Sequence, residues 1–101
     1  MHIKEAQEKV AGHLKEIGYT KIETTPSQAF LHLVEEVGET ARTLLYKETN
    51  RKSVFNKTAP KELEEEVADI FWQTLKLASY LEIDLEDAFI KKFEKNKSKA
   101  K

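Results

Sequence analysis

Two short acidic stretches carry the residues most able to do chemistry: Glu35-Glu36-Val37-Gly38-Glu39 and Glu66-Val67-Ala68-Asp69. Glu36 and Glu39 stand three apart, as do Glu66 and Asp69, so on a helix each pair lies on one face about a turn apart. Two such helices side by side would aim four carboxylates at one point. Like charges at that range resist joint ionisation, and a divalent cation removes the conflict. Oxygen-only donors select hard cations, Mg²⁺ foremost, and Mg²⁺ is commonly shared with substrate phosphates.

The plainer alternative is a solvated acidic face neutralised by lysines one turn on, since glutamate is mostly exposed. Here the residues four after Glu35, Glu36 and Glu39 are Glu39, Thr40 and Thr43, so no lysine answers them. Stepping about 100° per residue, both pairs fall beside the apolar stripes of their helices, at the rim of a buried seam. A di-iron bundle would need Glu-x-x-His pairs, and neither stretch has one. His32 precedes Glu36 by four on the same face, either as a group contacting the site or as an exposed histidine. Trp72 and Phe55 read as packing or interface residues before base-stacking platforms.

The elements that must position these acids are helical. Ile3, Ala6, Val10, Leu14 and Ile17 recur at three- and four-residue steps and stop at Gly18. Thr25-Pro26-Ser27-Gln28 is a helix start, with Thr25 as N-cap, Pro26 at the first helical position and Gln28 reaching back. That second helix is expected to run to about Lys47 and bury Phe30, Leu33, Val34, Val37, Ala41, Leu44 and Leu45. Residues 48–59 lose the periodicity and read as a polar loop, with Val54-Phe55 folding back on the body. Pro60 opens a third helix with Leu63, Val67, Ile70, Thr74, Leu77 and Leu81 inward. Asp84 caps a fourth through the D-x-x-D of Asp84 and Asp87, with Leu85, Ala88, Phe89 and Phe93 inward. Past Phe93 the lysine-rich tail, about residues 94–101, is expected to fray.

The fold expected is therefore all-α: an antiparallel bundle of about four helices, a single domain over residues 1–101. Phe71, Trp72 and Leu75 widen the apolar sector of the third helix beyond what one neighbour covers, so self-association should complete it. The 17 basic and 18 acidic residues nearly cancel, which gives no reason to expect a nucleic-acid polymer or membrane surface as partner. No cysteine is present, excluding disulfides and thiolate metal sites. With no apolar run of spanning or signal-peptide length, a cytoplasmic protein is the expectation.

Four blocks in register closely resemble the MazG-type nucleotide pyrophosphohydrolases: Leu33-Val34-Glu35-Glu36-Val37-Gly38-Glu39, Glu65-Glu66-Val67-Ala68-Asp69-Ile70, Leu81 to Ala88, and Lys92-Phe93-Glu94-Lys95-Asn96. The resemblance covers roughly residues 27–99 in the order E-E-x-x-E, spacer, E-x-x-D, K-x-x-K-N. It implies a homodimer or homotetramer that forms a bundle around each active site. It also implies hydrolysis of a nucleoside triphosphate to the monophosphate and pyrophosphate, in nucleotide-pool house-cleaning. By position, Glu36, Glu39, Glu66 and Asp69 would be ligands for Mg²⁺, with Mn²⁺ able to substitute. Glu35 would bind a further ion or orient the attacking water, so Glu35, Glu36 and Glu39 make up the catalytic set. Lys92, Lys95 and Asn96 would contact the phosphates, with His32 as a further substrate contact.

Lys99 stands where many relatives carry arginine, and Thr40 where leucine often follows G-E. A phosphoribosyl-ATP pyrophosphohydrolase shares the carboxylate arrangement. That family tends to show Lys-Val-Gly-Glu-Glu and a Tyr-His pair, where this chain has Glu-Glu-Val-Gly-Glu and Phe71-Trp72. A non-catalytic helical module whose acidic rim binds a basic partner is the alternative from a different class.

Overall fold

The computed structural model describes residues 1–18, 25–49 and 63–99. They form four helices, α1 (Ile3–Glu16), α2 (Pro26–Thr49), α3 (Leu63–Tyr80) and α4 (Leu85–Lys99), with no strand among them. The polar loop is expected over 48–59; Glu48 and Thr49 are the last turn of α2, and residues 50–59 lie outside the described residues, as does Pro60.

The helix ends follow from local chemistry. Thr25 and Gln28 make a reciprocal capping box: the Gln28 amide N–H donates to Thr25 Oγ1 and the Thr25 N–H to Gln28 Oε1, each at 3.2 Å. Asp84 Oδ1 accepts from the Asp87 N–H at 3.1 Å and starts α4. Gly18 ends α1 at φ 66°, the left-handed region that glycine enters without penalty. Glu82 takes the same role after α3 at φ 56°, with the Ile83 N–H donating to Ala78 O at 2.9 Å and the Glu82 N–H to Ser79 O at 3.2 Å. That is a Schellman motif with a non-glycine residue in its left-handed position.

Helix α3 is the centre of the molecule, with α2 on one side and α1 on the other. Both neighbours run antiparallel to it. Thr43 meets Glu66 while His32 meets Lys76, and His13 meets Trp72 while Gln7 meets Ile83. On the α1 side Val10, Leu14 and Leu75 form the buried apolar cluster, flanked by Ile3, Ala6 and Leu85. Trp72 packs edge-on to the His13 ring, centroids 5.6 Å apart. Helix α4 lies against α1, tied by Gln7, whose side-chain amide donates to Ile83 O at 2.8 Å and accepts from the Leu85 N–H at 3.2 Å.

The stripe expected inward is buried or half-buried on α1 up to Leu14 and mostly half-buried on α3, but largely outward on α2. Phe30, Val34, Val37, Leu44 and Leu45 on α2 are exposed, as are Val67 on α3 and Leu81 just after it. Of the inward set on α4, Leu85 is half-buried while Ala88, Phe89 and Phe93 are exposed, the two phenylalanines at 55% each. Apart from Leu75 on the α1 side, what α2 and α3 bury is small or polar: Ala29, Thr40, Thr43, Glu66, Gln73, Lys76 and Ala78. Apolar periodicity marks apolar faces and passes over a polar seam, so the buried Thr, Glu, Gln and Lys of α2 and α3 gave no such signal. The frayed end is also corrected: α4 continues as regular helix to Lys99. Lys91 pairs with Asp87 at 2.9 Å, and this hydrogen bond and charge raise its ammonium above the usual lysine range.

Candidate metal centre

The antiparallel pairing of α2 and α3 brings the two acidic stretches face to face. Glu36 and Glu39 from α2 and Glu66 from α3 each offer a carboxylate oxygen, all within 4.8 Å of one another. At that spacing, with an effective dielectric near 20, each ionised pair repels by about 3 kcal/mol. The three therefore make a strong demand for positive charge.

Glu66 is the most constrained of them. It is only 3% exposed; its Oε1 accepts a hydrogen bond from Thr43 Oγ1 at 3.1 Å, while its Oε2 is buried and meets no donor. A buried carboxylate oxygen left so costs about 1–3 kcal/mol or more of desolvation, unless a cation takes it up. Glu36 is held from the other side, its Oε1 lying 3.4 Å from Nε2 of His32. His32 in turn has Nδ1 3.2 Å from the ammonium of Lys76. Thr40 is buried and donates its hydroxyl hydrogen to the backbone carbonyl of Glu36 at 2.9 Å, which satisfies the hydroxyl within its own helix.

The remaining expected residues are placed less tightly. Asp69, one turn after Glu66 and half-buried, is not one of the converging three. Glu35 is exposed beside Glu36. Lys92, Lys95 and Asn96 are exposed on α4, the helix that packs on α1. A concavity of about 370 Å³ lined by Lys4, Gln7, Ser79, Ile83 and Asp84, among others, sits between α1 and the α3–α4 turn; none of the three acids lines it.

Thr43, Gln73 and Lys76 are seam residues that sequence reading missed. Their one signal was spacing: Gln73 is two turns after Glu66 and Lys76 one turn further, on the same side of α3. In a pattern read for apolar positions such residues pass for surface.

Among the described residues no helix is long and apolar enough to cross a membrane. No curated protein matches the chain. The MazG nucleotide pyrophosphohydrolase domain matches residues 24–101, a stretch that contains all three converging acids and α2, α3 and α4 entire. Members of that family are typically metal-dependent, in keeping with the acidic cluster. Spanning well over half of the chain, the match makes this protein a member of the MazG nucleotide pyrophosphohydrolase family, a hydrolase with a nucleotide substrate.

Proposed function

We propose that the protein is a Mg²⁺-dependent nucleoside triphosphate pyrophosphohydrolase, releasing a nucleoside monophosphate and pyrophosphate in the upkeep of the nucleotide pool. One observation carries the reading: three carboxylates from two helices converge within 4.8 Å, and one of them keeps a buried oxygen that meets no hydrogen-bond donor. That donor set is all oxygen, which suits a hard cation and offers nothing to a soft one. Glu36, Glu39 and Glu66 would hold the ion, with Asp69 one turn along α3 completing the set. When bound, such a cation neutralises phosphate charge and increases the acidity of water.

The rest falls to the chain's own residues. Glu35 orients the attacking water and accepts its proton. The new bond joins the water oxygen to the α-phosphorus. The bond from that phosphorus to the bridging oxygen breaks, and pyrophosphate leaves with the electron pair. Positioning and charge stabilisation suffice for this chemistry, and no protein nucleophile is required. Lys92, Lys95 and Asn96 grip the phosphates. Their helix packs on α1, so we infer that a second copy, seated on the exposed apolar faces of α2 and α3, completes the enclosure as a homodimer or homotetramer.

The test is pyrophosphate release from a panel of nucleoside triphosphates at fixed Mg²⁺, with Glu39→Gln as control. Turnover by the unaltered protein and its abolition in the folded variant is the expected result. Undiminished activity in Glu39→Gln would refute the ligand assignment.

A further inference from the structure

Lys76 is a lysine in an unusual place. It is only 5% exposed, on the inner side of α3, where the common behaviour is to stretch the stem along apolar surface and keep the ammonium in water. Instead its Nζ lies 3.2 Å from Nδ1 of His32 on α2. The other ring nitrogen, Nε2, lies 3.4 Å from Oε1 of Glu36. Lysine, histidine and glutamate therefore form a line that ends at one of the three converging acids.

The direction of this line is set by donor arithmetic. An ammonium has three donors and no acceptor, so Nδ1 must be the accepting nitrogen. A proton on Nδ1 would point at the ammonium and lose that bond. The single proton of a neutral imidazole then sits on Nε2, where it donates to Glu36. Glu36, an acceptor, already favours the proton on Nε2, and the lysine adds to that preference from the Nδ1 side. Loss of the lysine weakens that preference and lets the Nδ1–H tautomer gain population.

We infer that Lys76 is a positioning residue for the metal centre. It locks His32 as the Nε2–H tautomer, and His32 in that form holds the Glu36 carboxylate in the orientation that meets Glu39 and Glu66. His32 thus acts on Glu36 and not on substrate. A buried ammonium costs desolvation that packing alone does not return, and a methionine would fill the same space without that cost. The consequence for Mg²⁺ affinity rests on the metal reading above; the tautomer assignment does not.

The test uses the full chain without metal. Long-range ¹H–¹⁵N correlation of the imidazole rings resolves the three histidines, and His32→Gln identifies the His32 signals by their loss. In the unaltered protein, Nδ1 of His32 should show the shift of a bare acceptor and Nε2 that of a protonated nitrogen. In Lys76→Met the two tautomers should mix, and Mg²⁺ affinity, read from metal-dependent melting, should fall about tenfold, as is usual when an outer partner of a ligand is lost. Lys76→Arg, which keeps a charged donor, should restore the tautomer. A protonated Nδ1 in the unaltered protein would overturn the assignment, and that spectrum decides even if the variants do not fold. A Lys76→Met protein with unchanged tautomer and Mg²⁺ affinity would overturn it as well. Failure of the unaltered protein to take up Mg²⁺ would sink the metal reading, and the tautomer comparison would then decide the role of Lys76 alone.

Discussion

Thr43 gives Glu66 a hydrogen bond at Oε1 and leaves the other oxygen for something else. That division makes two substitutions informative. Thr43→Val keeps the shape of a buried side chain but strands both oxygens of a buried carboxylate. It should cost about 1–3 kcal/mol, the range for leaving a buried polar group unsatisfied, read as a lower urea midpoint with unchanged slope. Glu66→Gln should act in the opposite sense without metal. Removing one of three like charges relieves repulsion, so the metal-free protein should melt higher than the parent. The same variant should lose the rise in melting temperature that Mg²⁺ gives a site filled only in the folded state. At this scale the convergence of Glu36, Glu39 and Glu66 was legible from two acidic stretches at the same spacing on neighbouring helices, with no lysine four residues after Glu36 or Glu39. Lys76 was not. Only the pairing of α2 with α3 tells a buried lysine from an exposed one.

The helices themselves announced their ends more clearly than their faces. The capping box at Thr25 and Gln28 and the aspartate cap at Asp84 are local, and local chemistry is written in neighbouring residues. The left-handed turn at Glu82 is different, because nothing about a glutamate predicts φ 56°. Glu82→Gly should stabilise the protein by about 0.5–1 kcal/mol, by removing the Cβ clash of a left-handed residue, as thermal unfolding would show. Gln7 makes a long-range tie, holding both Ile83 and Leu85 at the start of α4. Gln7→Ala should cost about 1–2 kcal/mol for two hydrogen bonds and speed hydrogen exchange at the Leu85 amide, while amides in the middle of α2 stay protected.

For the whole molecule, the radius of gyration is 16.3 Å, against about 13 Å for a compact chain of this length. An open form with Phe71 on α3 and Val34 and Val37 on α2 exposed has more apolar surface than a lone small protein usually shows. Sedimentation should accordingly give at least twice the chain mass of 11.7 kDa, and Phe71→Lys should shift the population toward the single chain. The breadth of the apolar sectors was visible beforehand, from Phe71 and Trp72. Which sector faces inward was not, since periodicity has no way to say whether its cover comes from the same chain.

The seam between α2 and α3 is lined by threonines, a glutamate, a glutamine and a lysine, while most of the oily residues of α2 point outward. Heat capacity is sensitive to that inversion. Exposing apolar surface on unfolding raises it and exposing polar surface lowers it, to a usual sum of about 12–15 cal/mol/K per residue. A solitary copy, with little oil inside to uncover, should fall short of that increment in a calorimeter. Copies that cover one another's outer faces should reach it.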